Sequence, residues 1–173
     1  MTKREISVIV PVYNEEKTIK LVLDELENIN EVNEIIVIDD NSVDKTVEII
    51  EGFISSKIIF IQNRSNLGKG ATIRQAFPHL ISNYSVIQDA DLELDPKYIV
   101  KYLDLAIEKN LDVVFGTRFR TFRVDGYPIS LSFANKVYTG LINFLIGSKY
   151  SDVNCGHKFF KTDILKNLDF EEN

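Results

Sequence analysis

Carboxylates recur in this sequence at short, regular spacings. Asp89-Ala90-Asp91-Leu92-Glu93 sets three of them at i, i+2 and i+4. In an extended segment side chains alternate, so all three would point the same way. Hard oxygen donors on one side suit Mg²⁺ or Mn²⁺, which keep waters and take one or two carboxylates plus substrate phosphates. An isolated pair of aspartates also describes a solvated turn ahead of a helix starting at Asp95-Pro96. The position of this pair, directly after an apolar β-branched run, favours a site.

Gly68-Lys69-Gly70-Ala71-Thr72-Ile73 is the second chemical feature. It falls short of a dinucleotide fingerprint, because Ile73 stands where Gly or Ala is needed and Gln62 to Leu67 separate it from the preceding strand. A nicotinamide-dependent enzyme is therefore disfavoured. It is not a P-loop either, since Gly70 follows Lys69. Glycines and a lysine at a helix start either hold phosphate through backbone N–H groups or simply begin the helix. Both readings stand. Arg118 and Arg120 follow another apolar run, where a guanidinium fork is suited to a diphosphate, although plain surface arginines look the same. His79 and His157 lack metal-ligand spacing and read as structural, and Cys155 as a small packed residue.

These groups need elements to hold them. Ile6–Val10, Glu34–Ile38, Lys57–Ile61, Tyr84–Gln88 and Asp112–Gly116 read as strands, the first stopped by Pro11. Between them lie helical stripes: Ile19, Val22, Leu23, Leu26 and Ile29 behind an Asn14 cap; Val43, Val47, Ile50 and Ile54 behind Ser42; Ile73, Ala76 and Phe77 up to Pro78; and Ile99, Tyr102, Leu103, Ala106 and Ile107 after Pro96. Apolar strands alternating with amphipathic helices predict an α/β fold with a largely parallel sheet covered on both faces. Ligands of such sheets sit beyond the carboxyl ends of the strands. Glu15, Asp39, Asp40, Asp89 and Asp91 all fall there, and that many acids at one edge call for a cation or sugar hydroxyls among them. Asp39 is a candidate for a base or ribose edge. A further helix spans Ile129 to Ile146, with Ala134, Val137, Tyr138, Leu141, Ile142 and Leu145 as its stripe. Leu131, Phe133 and Phe144 lie off that stripe, so this helix either packs on two sides or touches lipid.

At 173 residues the chain is one domain's length, and a single cysteine excludes a disulfide scaffold. No signal-like or membrane-spanning run appears, which predicts a cytoplasmic protein. Net charge is −6, unevenly spread. Residues 1–114 carry 12 basic and 20 acidic side chains, whereas residues 115–161 carry 7 basic and 2 acidic. The acidic half does not suit nucleic acid. The basic segment suits an anionic substrate or membrane surface, or is solvated surface.

Val8-Ile9-Val10-Pro11-Val12-Tyr13-Asn14-Glu15, Ile36-Val37-Ile38-Asp39-Asp40-Asn41-Ser42, Asn66-Leu67-Gly68-Lys69-Gly70, Gln88-Asp89-Ala90-Asp91-Leu92-Glu93 and Phe115-Gly116-Thr117-Arg118 resemble, in order, the motifs of family 2 glycosyltransferases. The nearest branch is the dolichyl-phosphate and polyprenyl-phosphate mannosyl- and glucosyltransferases, whose acceptor-side segment Ser151–Phe160 resembles. The resemblance implies a GT-A fold, Rossmann-like, in a single catalytic domain over 1–173 that family members continue further, so the chain reads as shortened at its C-terminus. It implies a nucleotide-diphosphate sugar donor and Mg²⁺ or Mn²⁺. Pro11, Tyr13, Glu15, Val37 and Asp39 match the nucleoside pocket; Asp89, Ala90 and Asp91 match Asp-x-Asp; Arg118 matches a diphosphate-binding arginine. Lys69 joins the nucleotide-sugar set, and Asp89, Asp91 and Glu93 form the expected metal set. Mannosyl members often carry Gln at the Glu93 position, and an aromatic commonly stands where His157 does.

The implied reaction is an inverting displacement at the anomeric carbon, with Asp91 and Arg118 serving the leaving diphosphate. A polyprenyl or dolichyl phosphate acceptor needs no strong base, because its second pKa of about 6 leaves it nucleophilic at pH 7. A sugar hydroxyl of a polysaccharide would need one. Asp152 is the candidate acceptor-side acid, base or orienting residue. Arg120, Arg123, Lys136 and Lys158 are candidate headgroup contacts for peripheral binding at the cytosolic face of a membrane. A nucleotide-binding module without catalysis is the alternative from another class.

Overall fold

The computed structural model describes residues 3–117, 129–147, 149–153 and 155–167. Six strands form one sheet: β1 (Ile6–Val12), β2 (Val32–Asp39), β3 (Ile58–Gln62), β4 (Tyr84–Ile87), β5 (Val113–Phe115) and β6 (Lys158–Lys161). Their order is β3-β2-β1-β4-β6-β5. The first four are mutually parallel, and β6 runs antiparallel to both β4 and β5. The expected parallel sheet thus carries one reversed strand, whose Lys-Phe-Phe-Lys has no β-branched apolar run to mark it.

Alternation sorts the strand side chains between two cores. Val8, Val10, Ile35, Val37 and Val86 face α1 (Ile19–Glu27), α2 (Thr46–Glu51) and α4 (Tyr98–Lys109), meeting Val22, Leu26, Ile50, Ile99 and Leu103. Ile9, Ile36, Ile38 and Ile87 face the other way, onto Ala76 after α3 (Lys69–Gln75) and Leu165 of α6 (Thr162–Lys166). Each aliphatic side chain fully buried this way contributes about 1.5–3 kcal/mol. Helices therefore cover both faces, as the unbroken apolar runs require.

Pro11 does not end β1, which runs on to Val12. The Ile9 carbonyl accepts from Gln88 on the β4 side, and the Val12 carbonyl accepts from Asp40 on the β2 side. Pro11 shares the side of Ile9 and has no N–H for the next rung toward β4, and pairing with β4 ends at Ile9–Ile87. Pro78 likewise sits within a 3₁₀ turn, Phe77–His79, rather than terminating α3. Val43 and Ile54 are exposed, so only Ile50 of the expected α2 stripe is fully buried.

The last long helix, α5 (Ile129–Ile146), has the expected span, and its apolar stripe is exposed rather than packed. Val137, Tyr138, Leu141, Phe144 and Leu145 are exposed, while Asn135 and Thr139 are buried. Asn135 donates to Asp152 at 2.8 Å, Thr139 accepts from the Val153 N–H at 3.3 Å, and Asn143 exchanges two 2.8 Å bonds with Tyr150. Three polar residues four apart thus dock the 150–153 segment. The apolar stripe is the outer face.

Candidate functional site

β1 is flanked by β2 on one side and β4 on the other, and chain order reverses there, which opens a crevice beyond the carboxyl ends of the strands. A cavity of about 360 Å³ occupies that crevice. Pro11, Tyr13 and Glu15 line it from the end of β1 and its loop, Lys69 from α3, and Asp89, Ala90 and Asp91 from the turn after β4. Sequence reasoning singled out all seven. Val12, Asp40, Asn66, Gly68 and Thr72 complete the wall.

Local hydrogen bonds explain why the loops stand as they do. Asn14, expected as a helix cap, instead adopts φ 57°, a left-handed conformation asparagine tolerates. Its N–H donates to Ser42 Oγ at 2.8 Å, and its Oδ1 accepts from the Val43 N–H at 2.9 Å. The Glu15 N–H donates to Thr46 Oγ1 at 2.8 Å. Asn14 and Ser42 therefore tie the loop after β1 to the loop after β2, and neither caps its helix. Asp40 clamps a third loop: its carboxylate accepts from Asn63 Nδ2 and from the N–H groups of Leu67 and Gly68, all at 2.8–2.9 Å. Burial pushes the Asp40 carboxyl up, but these bonds and one from Thr72 outweigh it and hold the carboxyl below its usual range. The Gly68 N–H, at a φ of 83° that favours glycine, is thus already engaged by Asp40. The charged side chain this loop adds to the cavity wall is that of Lys69.

Lys69 Nζ lies 2.5 Å from Asp89 Oδ1. The acidic turn itself corrects the extended reading. Ala90 and Asp91 form a turn and Leu92 adopts φ 62°, so side chains two apart no longer share a side. Asp91 Oδ1 accepts the Glu93 N–H at 3.0 Å, and Glu93 is exposed and outside the cavity lining. Among the described residues no three His, Cys, Asp or Glu side chains stand as a ready metal cage. Asp89 and Asp91 present two carboxylates on one wall, which fits Mg²⁺ or Mn²⁺ completed by phosphate oxygens and water. Gly156 supports that wall, because a Cβ there would strike Asp89 Oδ2.

Asp39 and Val37 lie behind the cavity rather than on its surface. Val37 is in the core. Asp39 is wholly buried; its Oδ2 accepts the Ser42 N–H at 3.0 Å, and its Oδ1 is the one buried side-chain oxygen among the described residues without a partner. Such an orphan costs about 1–3 kcal/mol unless a ligand or water meets it. Asp152 is buried against Asn135, away from the cavity lining. Lys158, half-buried, donates to the Cys155 carbonyl at 3.0 Å. Burial and the nearby Lys69 charge push its ammonium down, while Cys155, Asp89 and Asp152 pull it up, so the 152–158 segment and the acidic turn share one field. Arg118, Arg120 and Arg123 lie outside the described residues.

His157, read from sequence as structural, is wholly buried. Burial pushes its imidazole down to about 4, against the opposing pull of Asp89 and Asp95, so it is neutral at pH 7. Its Nε2 lies 2.6 Å from Gln88 Oε1 and its Nδ1 3.2 Å from Tyr102 Oη. No spacing in the chain points to this contact, which joins residues 69 positions apart.

Residues 7–169 match the model of glycosyl transferase family 2. The chain is 27% identical over 179 residues to glycosyltransferase AglD of Haloferax volcanii, covering 98% of this chain and 29% of that protein. It is 27% identical over 168 residues to the undecaprenyl-phosphate 4-deoxy-4-formamido-L-arabinose transferase of Edwardsiella ictaluri, covering 93% and 50% respectively. It therefore spans half or less of these two relatives. The fold is similar to that of a mannosyltransferase from Pyrobaculum calidifontis solved with GDP-Man and Mn²⁺, with a TM-score of 0.68 at 20% identity over 96% of this chain and 46% of that one.

Proposed function

The chain belongs to glycosyl transferase family 2, and from that premise we propose that it transfers a hexose from a nucleotide-diphosphate sugar to a lipid phosphate, with inversion at the anomeric carbon. The observation that carries this reading is that Tyr13, Glu15, Lys69, Asp89 and Asp91 converge on one cavity. In this reading residues 1–173 form one catalytic domain. Tyr13 and Glu15 flank the nucleoside, and the orphaned Asp39 Oδ1 accepts a base N–H or a ribose hydroxyl once the ligand opens a path to it. Asp89 and Asp91 would hold Mg²⁺ or Mn²⁺, which would supply charge neutralisation for the leaving diphosphate. Lys69 meets the same diphosphate, and Arg118 is assigned there by motif position alone.

The bond from the anomeric carbon to the donor phosphate oxygen breaks, and the nucleoside diphosphate departs with the electron pair. A phosphate oxygen of the acceptor forms the new bond from the opposite face. A phosphate monoester brings its own charge, so no general base is required. In this reading Asp152, which accepts from Asn135, orients rather than acts as a base. The relative that transfers to undecaprenyl phosphate supports a lipid acceptor. So does the outward apolar face of α5, with exposed Lys136 and Lys149 beside it. Among the described residues no helix is long and apolar enough to cross a membrane. Peripheral contact with anionic headgroups is the mode such a face supports.

The test is transfer of labelled sugar from a panel of UDP- and GDP-sugars to a polyprenyl phosphate in mixed micelles. The reading predicts a metal-dependent, acceptor-dependent lipid product. Transfer to a soluble sugar hydroxyl in preference to the lipid phosphate would move the base role back to Asp152.

A further inference from the structure

The acidic turn is held from behind by a directed chain of hydrogen bonds. Gln88 follows the last residue of β4 and is wholly buried. Its Nε2 donates to the carbonyls of Asp89 and Leu94, both at 3.0 Å. Those two carbonyl acceptors require the nitrogen end of the amide, which turns the acceptor Oε1 toward His157. The His157 nitrogen 2.6 Å away must then be the protonated one, Nε2–H. Nδ1 is left as an acceptor, and the Tyr102 hydroxyl at 3.2 Å is its donor. Direction is therefore fixed along the whole path, from Tyr102 of α4 through His157 ahead of β6 to Gln88 and the two carbonyls that bracket the turn.

The turn has reason to need that support. Leu92 at φ 62° is a branched residue in the left-handed region, a conformation that persists only where surrounding structure imposes it. The neighbours of His157 are built for close approach. A Cβ at Gly116 would meet Tyr102, His157 and Cys155, and one at Gly156 would meet the Asp89 carboxylate. Tyr102 also contacts the His157 ring edge-on, with centroids 5.5 Å apart.

We propose that His157 is a positioning residue for the nucleotide-sugar site, holding Asp89 and Asp91 in place through Gln88. This rests on the proposed function, and the measurements below separate the two. Calorimetry with UDP and with GDP, each with and without Mn²⁺, is run on the wild type, His157→Phe and His157→Gln, with melting curves for all three. His157→Phe keeps a planar ring and loses both bonds. It is expected to weaken Mn²⁺-dependent binding about tenfold or more, the usual effect of removing a group that orients metal ligands, while leaving metal-free binding unchanged. His157→Gln retains a donor toward Gln88 and is expected to restore most of the affinity. Tyr102→Phe, a milder change that serves if His157→Phe does not melt cooperatively, is expected to weaken the same binding about fivefold. Nitrogen-15 spectra of labelled histidine are expected to place the His157 proton on Nε2. Wild-type affinity in His157→Phe or in Tyr102→Phe, or a proton on Nδ1, overturns the proposal. Absence of any Mn²⁺-dependent binding in the wild type, with the Nε2 proton still observed, overturns the nucleotide-site reading instead.

Discussion

Lowering the pH from 7.5 to 5.0 is expected to remove about 2 kcal/mol of folding stability through one side chain. His157 is wholly buried, and burial pushes its imidazole down to about 4 from an ordinary 6.5. The folded state therefore binds the proton more weakly than the unfolded chain does. Its stability contribution is whole above 6.5 and is lost as pH falls through the window between 6.5 and 4. Two populations titrating at those values differ by about 2 kcal/mol at pH 5.0 and by almost nothing at pH 7.5. That is a sizeable share of the roughly 5–15 kcal/mol that holds a domain together. The buried carboxylates Glu34 and Asp40 are both held below their usual range, so their losses come at lower pH and leave this window to the histidine. Urea unfolding at the two pH values, on the wild type and on His157→Gln, isolates the contribution because glutamine does not titrate. The wild type is expected to lose about 2 kcal/mol and the variant under about 0.5. An equal loss in both, or no loss in the wild type, would refute the reasoning.

Glu34 anchors the opposite end of the sheet, accepting from the Ser7 hydroxyl, the Ile81 and Ser82 N–H groups, the Ser82 hydroxyl and Asn33. Glu34→Ala strands those buried donors and is expected to cost about 3 kcal/mol or more in urea unfolding, with nucleotide binding intact in the folded protein. An unchanged urea midpoint would show the network to be idle. The outer face of α5 is expected to bring the protein down with anionic vesicles at low salt and much less at high salt, and Leu141→Glu/Phe144→Glu is expected to abolish that. Co-sedimentation indifferent to both salt and substitution would remove the membrane from the account.

Much of the fold was legible because apolar runs and helical spacing report directly on burial. Five strands, their alternation with helices and the covering of both faces follow from that. Periodicity says which residues share a face, however, and not which face is covered. In α5 the apolar stripe points outward because Asn135, Thr139 and Asn143 find specific partners in the 150–153 segment. The strand β6 was missed because its only apolar residues, Phe159 and Phe160, sit between Lys158 and Lys161 and give no β-branched run, whereas the equally short β4 and β5 carry Val86-Ile87 and Val113-Val114. At the site, residue type and strand-end position picked out Glu15, Asp40, Asp89 and Asp91 of the cavity wall, and the family resemblance added Pro11, Tyr13 and Ala90. Local turn chemistry did not follow from spacing: Leu92 and Asn14 both adopt positive φ, which bent the acidic segment and moved a supposed helix cap into a loop contact. His157 looked like a lone histidine because its partners, Gln88 and Tyr102, are 69 and 55 residues away.

The central claim is that the cavity at the ends of β1 and β4 holds a nucleoside diphosphate through a divalent ion on Asp89 and Asp91. The most direct test is calorimetric titration of UDP and GDP into the wild type and Asp91→Asn, each with Mn²⁺ and with chelator. One nucleotide is expected to bind the wild type at least about tenfold more tightly with Mn²⁺. Asp91→Asn is expected to lose this gain while melting like the wild type, because Asp91 is exposed and supports no core. Equal affinity with and without metal, or an undiminished Mn²⁺ effect in Asp91→Asn, would contradict the claim.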